Sequence, residues 1–319
     1  MDVYFYEVFD EEAEALRRFI GNSFSFELTW KTIQETSHTV PPASLISIRT
    51  QSQIPLPWAA QLNGILSRST GSDHLRAFHS QASVKIPCGY LDEYASRAVA
   101  EHAILLVLSL LRKLPAQIRQ VSQFDRNGIT GNEILGKHLL VVGVGRIGSE
   151  ICRLGKSMGF DVQGVDLIER HGDIEYVSKE EGFRWADVIV SAMNLTDANR
   201  GYFNYDLLKK AKRRIVLVNV ARGEQTPLRD IALALEEGWL GGCGLDVFES
   251  ERELANILRS SRTERTGQAA EFVKLLSYPN VLFTPHNAFN TREAVERKSE
   301  FTVRQLNHML KHGAFIWQL

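Results

Sequence analysis

The stretch LLVVGVGRIGSEICRLGKSMGF, residues 139–160, constrains the fold of this chain more than any other feature. An apolar run leads into three glycines, Gly143, Gly145 and Gly148, in the spacing GxGxxG, and a helical pattern follows at once. The first glycine permits a tight turn, the second lets backbone approach a pyrophosphate, and the third lets helix and strand pack closely. The free N–H groups of the helix start then face the anion. Asp166 ends the next apolar run, DVQGVD, 18 residues beyond Gly148. A carboxylate there accepts hydrogen bonds from ribose hydroxyls and repels a 2′-phosphate, so the spacing predicts NAD as the cofactor rather than NADP.

Apolar runs flank this motif in a regular rhythm. Before it come Val3–Tyr6, Phe24–Leu28, Leu45–Ile48 and Ile65–Ser67, alternating with longer mixed segments such as Glu11–Ile20. A helical stretch, Ala98–Leu111, separates them from Leu139–Val142, Asp161–Val165, Val188–Ser191, Ile215–Asn219, Gly244–Phe248 and Val281–Thr284. These runs lack clean period-two polarity, as expected of parallel strands covered by helices on both faces. The expected class is therefore α/β, and 319 residues suit about two domains. Helix Thr291–Leu310 closes the pattern. Residues 252–271, charged and rich in arginine, break it and read as a loop insertion, either a solvated surface excursion or a flap over a cleft.

Composition narrows the partners. The 37 Lys and Arg residues nearly balance 38 Asp and Glu, which argues against nucleic acid or an anionic membrane and favours a small-molecule ligand. The cysteines Cys88, Cys152 and Cys243 show no metal-ligand spacing, so no metal is expected and a reducing cytoplasmic setting is. The N-terminal segment lacks the features of a signal peptide, and the longest apolar run, Ala103–Leu111, is too short to span a bilayer. The basic run KKAKRR, 209–214, reads as the end of a helix, where cations complement the helix dipole.

A second constellation lies in VNVARGE, GLDVFESE and VLFTPHNAF, each just after a strand candidate. In an open α/β sheet ligands bind outside the carboxyl ends of the strands, so these turns can converge beside a nicotinamide. Arg222, Glu251 and His286 form a coherent set: a cation for a carboxylate, a carboxylate to orient a histidine, and a histidine as general acid. Taken singly, each has a plainer reading as a surface cation, an acidic rim residue and a loop histidine. Their shared position at strand ends favours the functional reading. His102 lies on an apolar helix and reads as structural, as does Cys243 between two glycines.

The motifs RSTGSDHL (68–75), YASRAVAEHA (94–103), GVGRIG (143–148), ADVIVSAMNLTDANRGYFN (186–204), VNVARG (218–223), GGCGLDVFESE (241–251) and PNVLFTPHNAFNTREAVE (279–296) occur in one order. With them the chain resembles the D-isomer-specific 2-hydroxyacid dehydrogenases, and within them the D-lactate dehydrogenase branch. The resemblance implies two doubly wound parallel-sheet domains. One is a flavodoxin-like substrate domain, discontinuous over 1–95 plus 291–319; the other is a Rossmann NAD-binding domain over 96–290. It further implies that Arg222 binds the 2-oxo acid, that His286 is the acid/base and that Glu251 pairs with it. Thr70 and Gly71 would receive the substrate carboxylate, with Tyr94 and Phe289 lining the pocket. Around the cofactor it implies Gly143, Gly145, Arg146, Ile147 and Gly148 at the pyrophosphate, and Asp166 at the ribose. Asn194, Asn199, Val220 and Ala221 would run along the dinucleotide, with Asp246 at the carboxamide.

Asn194 stands where the family usually has proline, CGYLDE (88–93) adds length before Tyr94, and GEQTPL replaces the usual valine-aspartate after the arginine. These departures leave the chemistry intact but blur the choice of substrate. The expected activity is NAD-dependent interconversion of a small 2-oxo acid, pyruvate first, with the D-2-hydroxy acid, by a homodimer. A dehydrogenase of glycerate or hydroxyisocaproate is the nearest alternative. From a different class comes a non-catalytic, NAD-sensing corepressor-like protein, which fold alone does not separate from an enzyme.

Overall fold

Five short strands open the chain: Val3–Phe5 (β1), Phe26–Leu28 (β2), Leu45–Ile48 (β3), Gly64–Ser67 (β4) and Cys88–Gly89 (β5). Every residue of β1, β3 and β4 is buried, as parallel strands require when helices cover both faces. Helices Asp10–Ile20 (α1) and Asp73–Gln81 (α2) supply that cover. The second part of the chain begins with Ser96–Leu111 (α3) and Leu114–Gln120 (α4). His138–Val142 (β6), Arg146–Met158 (α5), Asp161–Val165 (β7), Glu175–Tyr176 (β8), Lys179–Trp185 (α6), Val188–Ser191 (β9), Tyr205–Leu208 (α7) and Ile215–Asn219 (β10) follow. Leu228–Glu236 (α8), Leu240–Leu245 (β11), Glu251–Arg259 (α9), Gln268–Leu276 (α10), Val281–Phe283 (β12) and Arg292–His312 (α11) complete it. The computed structural model describes residues 1–259 and 267–319.

The chain divides into Met1–Ala95 with Asn290–Leu319, and Ser96–Phe289. In the first unit the strands run parallel in the order β2-β1-β3-β4-β5, a doubly wound flavodoxin-like arrangement whose direction reverses between β1 and β3. Helix α11 returns to this unit and packs against α1. Thr291 caps it by accepting a hydrogen bond from the Ala294 amide, 3.2 Å. In the second unit seven parallel strands lie in the order β12-β11-β10-β9-β6-β7-β8. The reversal falls between β6 and β9, which opens a crevice beyond their carboxyl ends. The α/β class with two doubly wound parallel sheets is as the sequence implies.

Three local expectations change. The strand expected at Gly244–Phe248 is Leu240–Leu245 instead. Gly241 and Gly242 are poor strand formers by composition, but α3 presses so closely on β11 that a Cβ at Gly244 would lie 3.2 Å from the Leu106 side chain. The two-residue strand β8 gave no apolar run to read. The flap read over 252–271 is helical in Glu251–Arg259 and from Gln268 onward; residues 260–266 of that reading lie outside the described residues. The run 209–214 also differs, because α7 ends at Leu208 and Lys212, Arg213 and Arg214 stand beyond its last turn.

Candidate active site

The glycine turn follows from local sterics. Gly143 has φ +92°, and a Cβ there would meet the Met193 amide nitrogen at 2.6 Å, so β6 can run alongside the β9 loop only with glycine. A Cβ at Gly148 would come within 2.0 Å of the Gly143 carbonyl oxygen, so helix α5 closes onto the turn for the same reason. Gly145 is different: it caps α5, no side chain caps that helix start, and a Cβ would meet open space. A 13-residue helix whose start carries no side-chain cap fits the pyrophosphate of NAD. Arg146 and Ile147 open this helix.

Asp166 is exposed at the end of β7, as a ribose ligand must be. Its Oδ2 accepts a hydrogen bond from the Val144 amide at 2.6 Å and its Oδ1 one from the Ile168 amide at 3.1 Å, so it also fixes the glycine turn. On the other side of the crevice, Asn199 donates to the Asn194 carbonyl, 2.7 Å, and accepts from the Thr196 amide, 2.8 Å. Val220 and Ala221 are buried in the turn after β10.

That turn also carries Arg222. Asn219, wholly buried, accepts from the Ala221 amide at 2.9 Å and donates to the Arg222 carbonyl at 2.8 Å, folding the chain back on itself. Gly223 makes room for the next turn: a Cβ there would stand 2.0 Å from the Phe248 carbonyl carbon. The segments bearing Arg222 and Glu251 therefore touch backbone to backbone. Glu251 begins α9 and its Oε1 accepts from the Phe248 amide, 3.1 Å. Its Oε2 lies 2.8 Å from Nδ1 of His286, and both side chains are partly exposed.

His286 sits in the left-handed region at φ +51°, where a non-glycine residue is strained. Its turn is held from below by Asp246, which is 1% exposed. Asp246 Oδ1 accepts from the Thr284 hydroxyl at 2.6 Å and the Asn287 amide at 2.8 Å, and Oδ2 accepts from the Ala288 amide at 3.0 Å. The Asp246 carbonyl oxygen takes the His286 amide itself, 2.9 Å. With Nδ1 occupied by Glu251, Nε2 is the ring nitrogen left for proton transfer.

Two supporting residues, Gln225 and Thr284, escaped the sequence reading. Gln225, fully buried, accepts from the Ser191 hydroxyl at 2.9 Å and donates to the Met193 and Asn194 carbonyls at 3.3 Å, tying the β9 loop to the β10 turn. It lies in GEQTPL, the segment marked there as a departure. Thr284 bridges Asp246 and His102, whose Nε2 is 3.1 Å from the Thr284 hydroxyl and 3.6 Å from Asp246 Oδ1. His102 is thus bound to the framework beneath the His286 turn, a pairing no spacing announces.

The first unit holds Thr70, Gly71 and Tyr94. Thr70 is exposed on the loop leaving β4, and the Ser69 hydroxyl closes that loop by donating to the Gly71 carbonyl, 2.8 Å. Tyr94 is buried, and its carbonyl accepts from Arg297 Nε at 2.9 Å. Phe289 is buried at the end of the second unit. Among the described residues no group of three or more His, Cys, Asp or Glu side chains could hold a metal, and no helix is long and apolar enough to cross a membrane.

Comparison with known proteins agrees with this geometry. Residues 104–288 match the family model for the NAD binding domain of D-isomer specific 2-hydroxyacid dehydrogenases. The chain is 33% identical over 220 residues to 2-hydroxyacid dehydrogenase homolog 2 of Schizosaccharomyces pombe, covering 66% of this chain and 65% of that protein. It is 29% identical over 270 residues to a D-lactate dehydrogenase of Streptococcus agalactiae, covering 81% and 79%. The crystal structure of Aquifex aeolicus D-lactate dehydrogenase complexed with NAD and lactic acid superposes with a TM-score of 0.85 at 26% identity, over 99% of each chain. The chain belongs to the D-isomer specific 2-hydroxyacid dehydrogenase family and is an NAD-dependent D-2-hydroxyacid dehydrogenase.

Proposed function

We propose that this enzyme reduces a small 2-oxo acid, pyruvate first, to the D-2-hydroxy acid, with His286 as the acid/base. The observation that carries the reading is the 2.8 Å contact between His286 Nδ1 and Glu251 Oε2, in the same unit as the glycine turn. NAD supplies or removes the hydride at C2 when bound. The protein's part is the proton and the charges. His286 donates from Nε2 to the forming alkoxide, while Glu251 holds the ring in one orientation and stabilises the imidazolium. Arg222 binds the substrate carboxylate and polarises the 2-oxo group through its guanidinium. Thr70 and Gly71, through their backbone N–H groups, and Tyr94 and Phe289 are the further substrate-side residues of this reading.

NADH oxidation over a panel of 2-oxo acids of graded side-chain size tests the substrate. Pyruvate giving the highest kcat/KM supports the assignment; a maximum at a larger acid moves it to that acid. Uniformly negligible rates would overturn the reading. We also propose a homodimer, supported by the exposed apolar side chains Ile118, Val121 and Phe124 in one short segment. A monomeric mass in solution would refute it.

A further inference from the structure

The glycine turn and the acid/base pair use the carboxyl ends of the second sheet. Its amino ends form a cleft of about 490 Å3 that serves neither. Lys137 precedes β6, Asp187 precedes β9, and Arg213 and Arg214 precede β10, so the cleft lies a strand length, about 16 Å, from the glycine turn. Lys113 and Lys212 complete a lining of five cations against the single carboxylate of Asp187. The whole chain carries a formal charge of −1, so this is a local concentration of positive charge. The helix dipole does not account for it, because α7 ends at Leu208 and its field falls off within a turn.

Three of the cations are engaged within the protein. Lys212 Nζ donates to Asp187 Oδ1 at 2.9 Å, Lys113 Nζ to the Gly128 carbonyl at 2.8 Å, and Arg213 Nη1 to the Glu237 carbonyl at 3.0 Å while lying over the Trp239 ring. Among the described residues the Lys137 ammonium and the Arg214 guanidinium have no hydrogen bond or ion pair. Arg214 is also held in a strained backbone state. Its φ is +62°, and its carbonyl oxygen would lie 2.3 Å from a Cβ at Gly241, so only glycine opposite admits it. Strain of this kind persists where the surroundings impose it.

We propose that this cleft binds a small organic polyanion carrying at least two phosphoryl or carboxylate groups, bridged between Lys137 and Arg214. The volume is that of a small-molecule pocket, where a nucleic acid would need a basic stripe along its backbone. Five cations gathered in one concave surface raise the local potential for such an anion.

The test uses NADH-saturated enzyme, so that the dinucleotide site is filled, and titrates inorganic pyrophosphate and citrate by calorimetry. Binding that weakens with added salt is expected for at least one probe. Pyrophosphate alone identifies phosphoryl groups, citrate alone identifies carboxylates, and both together identify recognition by charge. The double variant Lys137→Gln/Arg214→Asn should bind roughly tenfold more weakly with KM for NADH unchanged, and asparagine suits the left-handed backbone at 214. Lys137→Gln alone, which breaks no contact within the described residues, should show part of the loss and guards against misfolding of the double variant. Absence of binding by both probes, or equal affinity in the Lys137→Gln protein, would overturn the proposal.

Discussion

His286 Nδ1 and Glu251 Oε2 stand 2.8 Å apart, although 35 residues separate them and each is fixed by a different turn. Glu251 is held by the Phe248 amide and His286 by the backbone of Asp246 and Thr284, so the pair is prealigned before any substrate binds. If Glu251 stabilises the charged ring, Glu251→Gln keeps the hydrogen-bonding shape and removes the charge. The kcat for reduction should then fall, with KM for NADH little changed. His286→Ala should lower kcat by roughly 10²–10⁴-fold with NADH binding little changed. A kcat for Glu251→Gln equal to that of the wild type refutes the coupling.

Asp246 receives three hydrogen bonds from the 284–288 turn, and its burial leaves no water to replace them. Asp246→Asn sets an NH2 group against one of these donors at about 1–3 kcal/mol. The expected result is a lower Tm together with a loss in kcat, because the His286 turn loses its support. Unchanged Tm and kcat would mean that the carboxylate does not organise the turn.

Much of this was legible because it rests on backbone necessity. Gly143 and Gly148 announce a turn that no residue with a side chain permits, and fully buried runs such as Val188–Ser191 read directly as strands. The hidden parts depend on contacts between distant segments. Nothing in the sequence links His102 to Thr284, 182 residues away, or Gln225 to Ser191. The start of β11 was hidden because Gly241 answers to the Arg214 backbone and Gly242 and Gly244 to the helix packed on them, not to strand propensity.

Asp166 anchors the Val144 amide, and the proposed reading also assigns it to the ribose. Asp166→Ser should raise the kcat/KM for NADPH relative to NADH, since the repelling charge is gone. It should also weaken NADH binding, because the glycine turn loses an anchor. Kinetics with both cofactors read the two effects separately. Wild-type enzyme using NADPH as efficiently as NADH would contradict the ribose assignment.

The most demanding electrostatics lie in the first unit, where Glu12, Arg68 and Lys298 are all wholly buried. Glu12 Oε1 is 2.9 Å from Arg68 Nε and 2.8 Å from Lys298 Nζ, and Arg68 also donates to the Ser47 hydroxyl and the Tyr6 carbonyl. Burial raises the Glu12 pKa, but Arg68, Lys298 and Arg49 outweigh it and hold the carboxyl at about 2, against an ordinary 4.5. Its folded pKa therefore lies below the unfolded one. The stability it contributes is complete above about pH 4.5 and is lost as pH falls toward about 2. Burial, opposed by Glu12, pushes Lys298 down to about 7. The unfolded chain then holds the extra proton between about 7 and 10.5, so this group makes stability rise with pH across that window. Glu12→Gln leaves the buried Arg68 without its carboxylate, drives Lys298 toward its neutral amine, and should cost about 3–5 kcal/mol near neutral pH. Its acid-limb loss of stability should be correspondingly shallower. Adding Lys298→Met replaces the buried amine left without its carboxylate and should restore part of the loss. Urea unfolding of the three proteins from pH 3 to 9 measures all of this, and a Glu12→Gln variant as stable as the wild type would show that the cluster does not hold the unit together.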